Sequence, residues 1–132
     1  MNNDRLPLTH EHDALTEQII GAAIDVHREL GPGLLESCYE TCLLHELSLR
    51  GLSAQRQLGL PVEYKGVRVD CGFRIDILVE GQVVVELKAV DKSTPIDEAQ
   101  LITYLKLSGH RRGLLINFNV RTLKDGLMRR GV

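Results

Sequence analysis

Residues 74–90 read "RIDILVEGQVVVELKAV". Two apolar runs flank Glu80-Gly81, the pattern of two strands joined by a tight turn. Three charges interrupt them: Asp76, Glu86 and Lys88. Side chains alternate along a strand, so the register of the hairpin decides whether those charges meet. With a two-residue turn at Glu80-Gly81, Asp76 lies opposite Val85 and faces away from Glu86. Ile75 and Ile77 then share a face with Glu86 and Lys88. With a three-residue loop, Val79-Glu80-Gly81, Leu78 pairs with Gln82 and Asp76 with Val84. One face then carries Ile75, Ile77, Val83, Val85 and Leu87. The other carries Arg74, Asp76, Leu78, Gln82, Val84, Glu86 and Lys88. Each large aliphatic on the wrong face costs about 1.5–3 kcal/mol, so burial selects the second register.

In that register Asp76 and Glu86 lie diagonally on one face, with Lys88 beside Glu86. Two carboxylates this close repel unless positive charge stands between them. A divalent cation with oxygen ligands supplies it, and Lys88 shares the compensation and can hold a water beside the ion. Spacing alone also allows a solvated sheet face with a surface Glu–Lys pair.

Outward from the hairpin, residues 53–73 continue strand-like, with a further turn at Lys65-Gly66. Three antiparallel strands in series are expected. "STPIDEAQLITYLKLSG" (93–109) opens a helix, with Thr94 at the N-cap, Pro95 at the first position and Asp97 three after the cap. Gly109 ends it, and "GLLINFNV" (113–120) is a short buried strand. The tail, 122–132, is too short to assign. Upstream, Ile19, Ala23, Val26 and Leu30 recur at helical spacing, with Asp13 as cap and Gly31 as stop. After a Gly-Pro-Gly turn, Leu35, Cys38, Cys42, Leu43 and Leu47 mark one face of a second helix that Gly51 closes. The order helix, helix, three strands, helix, strand is an α+β fold, with helices on one mixed sheet of about four strands.

The chain of 132 residues, 43% hydrophobic and 26% charged, suits one domain with one core, assigned to residues 13–132. Residues 1–12 are polar and read as a flexible N-terminus with no signal-peptide core. No apolar run reaches membrane-spanning length, and three cysteines without secretory signals fit a reducing, cytoplasmic setting. Charge is uneven. Residues 1–50 hold nine acidic and three basic side chains, whereas residues 101–132 hold one and seven. A solvated surface or a phosphate-facing edge would each account for the basic end.

These residues resemble the PD-(D/E)XK nuclease superfamily, whose signature is an acid on one strand and Glu-x-Lys on the next, here Asp76 and Glu86-Leu87-Lys88. "GLLESCY" (33–39) is similar to the motif of the bacterial GxxExxY protein family, through Gly33, Glu36 and Tyr39. "VHRELGPG", "EAQLITYLKL" and "GLLINFNV" extend the resemblance over roughly residues 14–128. It implies a three-layer α/β/α restriction-endonuclease-like core and Mg²⁺- or Mn²⁺-dependent hydrolysis of phosphodiesters in nucleic acid, DNA foremost. It implies that Asp76, Glu86, the Leu87 carbonyl and Glu36 hold the metal. Lys88 would orient the attacking water, and Gln100 and Tyr104, one turn apart, would brace the lysine or a phosphate. The chemistry is coherent: a metal lowers the pKa of its water and neutralises charge building on phosphate oxygens. An acid in the first turn of a helix is also favoured by the dipole alone, which covers Glu36 without a catalytic role.

Two other functions fit the residues: a binding or regulatory module on the same fold without turnover, and a hydrolase of a small phosphorylated substrate. The intact Asp–Glu-x-Lys set speaks against the first. An aromatic content of 4%, little to stack on bases, keeps the second open. A homodimer is compatible with the sequence but not required by it. Cys38, Cys42 and His45 align on the second helix but supply too few ligands for structural zinc, and read as two core-facing cysteines and a surface histidine. His27 reads as a packed core histidine.

Overall fold

A computed structural model describes residues 10–132, with side chains from Ala14 onward. Residues 1–9 of the expected flexible N-terminus lie outside the described residues. The first helix, α1 (His10–Leu30), begins ahead of Asp13, which therefore lies inside it rather than capping it. Ile19, Ala23 and Val26 are buried and Leu30 packs at the core margin. Gly31 ends the helix at φ +70°, and its N–H bonds the His27 carbonyl at 2.7 Å.

The second helix, α2 (Glu36–Leu49), is rotated from its expected setting. Its buried residues are Tyr39, Glu40, Leu43 and Leu47. Leu35 is its N-cap and is 77% exposed, Cys38 is exposed, and Cys42 is half-buried. Tyr39 explains the rotation, because its ring has the most apolar area to bury. That ring stacks on Phe118 at 4.5 Å and 6°. Its hydroxyl donates to the Gly31 carbonyl at 2.6 Å and accepts from Leu34 N–H at 3.1 Å, tying the interhelical turn to the core.

The three expected strands after α2 are five: β1 (Ala54–Gly59), β2 (Val62–Tyr64), β3 (Val67–Val69), β4 (Arg74–Val79) and β5 (Val83–Lys88). Strand β1 pairs directly with β4, while β2 and β3 form a separate hairpin around Lys65-Gly66. Pro61 has no N–H for a ladder, and Gly72 takes φ +80°. The chain leaves the sheet at the first and returns at the second.

The helix start at Thr94 forms as expected. In α3 (Pro95–Ser108), Thr94 and Asp97 make a reciprocal capping box, and Gly109 ends the helix at φ +79°. Strand β6 (Arg112–Asn117) runs parallel to β5. The unassigned tail forms a 3-10 turn (Leu123–Gly126) and an edge strand, β7 (Leu127–Gly131), antiparallel to β6. The sheet order is β1-β4-β5-β6-β7, five strands rather than four. One face, with Ile77, Val79, Val83, Val85 and Leu87, packs under α1 and α2. The other, with Leu78, Val84 and Leu115, packs under Leu101, Tyr104 and Leu105 of α3. The layers are helix, sheet, helix.

The deciding hairpin differs from expectation in two details. Val79 pairs with Val83 and Leu78 with Val84. Glu80 and Gly81 both take positive φ, and Gln82 N–H closes the turn on the Val79 carbonyl at 2.9 Å. Gln82 is thus an extra residue between a two-residue turn and the ladder. The pairing has slipped by two from the expected register, which preserves the faces but sets Asp76 opposite Glu86 instead of Val84. The second difference is Ile75. It packs with Leu78 and Val84 rather than with Ile77. Strand β4 therefore rolls over at Asp76.

Candidate metal centre

The β4–β5 ladder ends at Ile77 and Val85. One step further the strands part, and side chains take over the backbone donors left without a ladder partner. Asp76 N–H donates to Glu86 Oε2 at 3.0 Å, and Leu87 N–H donates to Asp76 Oδ2 at 2.8 Å. Shielded N–H groups need acceptors, so the splay itself pins both carboxylates. On the other side of β4, Gln57 sits between the Arg56–Ile77 and Leu58–Ile75 pairs. Its backbone is left-handed, at φ +53°. Its Nε2 donates to Asp76 Oδ1 at 3.4 Å and to Glu40 Oε2 at 2.7 Å. Arg56 Nη2 reaches Glu40 Oε1 at 3.3 Å.

Helix α2 brings two more acids. With Tyr39 buried, the stripe Glu36, Glu40, Leu43, Leu47 follows helical spacing toward the sheet. Its polar end lies over the splay. Glu36, Ser37, Glu40, Gln57, Asp76 and Leu87 line one cavity of about 150 Å³. Lys88 follows Glu86 by two residues, and its ammonium pairs with Asp97 Oδ1 on α3 at 3.8 Å. The end of β5 is held by Asn117, whose side chain exchanges hydrogen bonds with the Val90 backbone at 2.9 and 3.1 Å. Gln100 Nε2 donates to the Tyr104 hydroxyl at 3.3 Å, and the buried Tyr104 ring meets the half-exposed Phe73 ring at 6.1 Å.

The electrostatics are those of crowded, partly dried acids. Burial, reinforced by the charge of Asp76, pushes Glu86 up to about 8. Burial likewise raises Asp76, against the opposing hydrogen bonds from Leu87 and Gln57. Glu36 is raised by desolvation and then by Asp76. Tyr104 is raised by burial and then by the charges of Glu86 and Asp76, so its phenol stays protonated. Lys88 opposes the shift at all three carboxyls.

The structure thus brings Asp76, Glu86, Glu36 and the Leu87 backbone together, with Lys88 beside them and Gln100 and Tyr104 on the neighbouring helix. Sequence reasoning passed over Glu40, Gln57 and the Asp97–Lys88 pair. The i, i+4 spacing from Glu36 is a signal for Glu40, whereas a left-handed glutamine inside a strand has none. His27 is buried, as expected, with Nε2 at 2.7 Å from the Val120 carbonyl, and His45 is exposed. Of the two cysteines expected to face the core, Cys42 packs against it at the margin and Cys38 is exposed. At the basic end, Arg129 pairs with Glu17 and Arg130 with Glu98, so those two cations are neutralised within the chain.

The donor set fits a hard divalent cation: carboxylates and a carbonyl, with no sulfur or imidazole. Burial is the first cause of the raised Glu36, Asp76 and Glu86 carboxyls, and the charge of neighbouring acids adds to it. Among the described residues no three His, Cys, Asp or Glu side chains already converge on a common ligating point. Of the four acids at the splay, Glu36 is the exposed one. No helix of the described residues is long and apolar enough to cross a membrane. A family model described as the PD-(D/E)XK nuclease superfamily matches residues 13–130. No curated protein and no solved structure matches the chain.

Proposed function

The chain belongs to the PD-(D/E)XK nuclease superfamily, and from that premise we propose that it is a Mg²⁺- or Mn²⁺-dependent nuclease, with DNA the first substrate to test. The observation that carries the reading is the splay at Asp76 and Glu86, where two carboxylates are fixed by backbone N–H groups at 3.0 and 2.8 Å. Asp76, Glu86, the Leu87 carbonyl and Glu36 would hold the cation. When bound, such an ion supplies a water of lowered pKa and neutralises charge on the phosphate oxygens.

The protein groups do the rest. Asp76 is held from β5 and β1, so its carboxylate cannot swing away as substrate enters. Lys88 carries a positive charge felt at Glu36, Asp76 and Glu86, and Asp97 restrains its ammonium. An ammonium has no lone pair for a cation. Its work is to orient the attacking water and stabilise charge on the phosphate as attack proceeds. Tyr104 and Gln100 form a hydrogen-bonded pair on α3 that braces the lysine side of the centre. A cytoplasmic setting belongs to this reading.

The test is cleavage of end-labelled single- and double-stranded DNA and RNA with Mg²⁺ or Mn²⁺, run beside Lys88→Ala. Wild type should cut at least one of these, and a chelator should stop it. Lys88→Ala should lower kcat by on the order of a hundredfold with a modest change in KM. No cleavage of any of the four nucleic acids would turn the reading toward a binding module. Full activity in Lys88→Ala would remove the lysine from the chemical step.

A further inference from the structure

We infer that Gln57 is a positioning residue of the metal centre: its carboxamide, fixed in direction by Glu40, holds the Asp76 carboxylate in the attitude needed for a cation. The inference rests on the reading of Asp76 and Glu86 as ligands and adds residues that the superfamily signature does not contain.

Three observations converge on it. The first is the backbone. Gln57 takes φ +53° inside a strand whose neighbours, Arg56 and Leu58, keep regular pairs with Ile77 and Ile75. A left-handed setting is unfavourable for a residue with a Cβ. It persists where surrounding contacts over-determine it, most often at functional sites. The second is the use of the amide. Nε2 has two hydrogens, and both go to carboxylates from different elements, Glu40 on α2 and Asp76 on β4. The third is Glu40. It is 6% exposed, and its other oxygen is held by Arg56. The short 2.7 Å contact therefore fixes which end of the amide faces the acids.

The consequence falls on Asp76. Its Oδ2 is taken by Leu87 N–H and its Oδ1 by Gln57, so the carboxylate plane is set from both sides. Each oxygen keeps a lone pair for another partner. A hydrogen-bond donor behind a ligand orients it without leaving the ligand set. A neutral amide does this without the positive charge that an arginine or lysine would bring against an incoming cation. The chemistry selects glutamine for reach and neutrality, and the backbone accommodates it.

The experiment measures Mn²⁺ binding from the loss of the free-ion paramagnetic resonance signal, in wild type, Gln57→Ala, Gln57→Gly and Asp76→Asn. Both Gln57 variants lack the amide, but glycine accepts a positive φ that alanine resists, so Gln57→Gly should melt higher than Gln57→Ala. A positioning role predicts that both lose Mn²⁺ affinity equally, by roughly 10- to 100-fold, despite that difference in stability. Affinity that follows stability, with Gln57→Gly close to wild type, would overturn the inference and leave Gln57 structural. If Asp76→Asn loses Mn²⁺ while both Gln57 variants keep wild-type affinity, the reading of the centre stands and the inference alone falls. If wild type binds no Mn²⁺, or Asp76→Asn binds it equally, both fall. Glu40→Gln should weaken binding on its own and add nothing to Gln57→Ala. A further loss in that background would make Glu40 a ligand and overturn its role as the amide's anchor.

Discussion

Glu86 is the residue on which the chemistry and the stability of this protein meet. The residue is 5% exposed, and its carboxyl faces Asp76 and is pushed up to about 8 by burial first and by that neighbour second. An acid whose folded pKa lies above its ordinary value binds its proton more tightly in the folded state. Its contribution to folding stability is then fully present below about 4.5 and is lost as pH rises to about 8. The metal-free protein should therefore lose Tm across that window. Glu86→Gln, which keeps an oxygen for Asp76 N–H, should flatten much of the slope and melt above wild type at the alkaline end. Thermal scans in chelator at several pH values check this. Equal slopes in the two proteins would place the penalty elsewhere. On the proposed metal reading, protons compete with the cation for this carboxylate, so binding should strengthen toward pH 8. Of this residue-scale picture, the sequence carried the meeting of Asp76 and Glu86 but not its cause. Parity follows from burial, since a slip by one turns apolar side chains outward. A slip by two leaves every face unchanged, so pattern alone could not distinguish a diagonal pair from a direct one. Gln57 was beyond reach for a related reason: its left-handed backbone comes from contacts with α2 and β4, not from any local preference of glutamine.

At the scale of elements, what could be read is what local chemistry determines. Thr94, Pro95, Asp97 and Gly109 each act within one turn of the chain, and α3 starts and stops where they place it. The strand breaks at 60–61 and 70–73 were missed because apolar alternation continues through them. Whether a strand stays in the sheet depends on partners distant in sequence. The rotation of α2 is another long-range effect, set by Phe118 stacking on Tyr39. That anchor gives a prediction. Tyr39→Phe keeps the ring but leaves the Gly31 carbonyl and Leu34 N–H without their hydroxyl partner. It should cost about 1–2 kcal/mol, seen as a lower urea midpoint with an unchanged m-value. Because the same turn leads straight into Glu36, Mn²⁺ affinity should fall as well. A loss of stability with no effect on the metal would mean that Glu36 is placed independently of the turn.

The whole molecule is a splayed sheet held between two helical layers, each of which delivers part of the centre. Helix α2 brings Glu36 and Glu40, and α3 brings Asp97, Gln100 and Tyr104. How closely α3 can approach depends on Gly113 of β6, where a Cβ would come within 2.8 Å of Leu101 Cδ1 and 3.2 Å of Leu105 Cδ1. Gly113→Ala should therefore destabilise by about 1–3 kcal/mol through overpacking, checked by denaturant unfolding. It should also slow cleavage, because the partner of Lys88 rides on the displaced helix. No change in either would mean that Leu101 and Leu105 yield without moving α3. On the proposed reading, the layers hold Asp76 and Glu86 together against their repulsion so that a divalent cation can complete them. The most direct test is calorimetric titration of Mn²⁺ into metal-free wild type and into the Asp76→Asn/Glu86→Gln double variant. Saturable binding to wild type that the double variant lacks is the predicted result, and equal binding by the two proteins would contradict it.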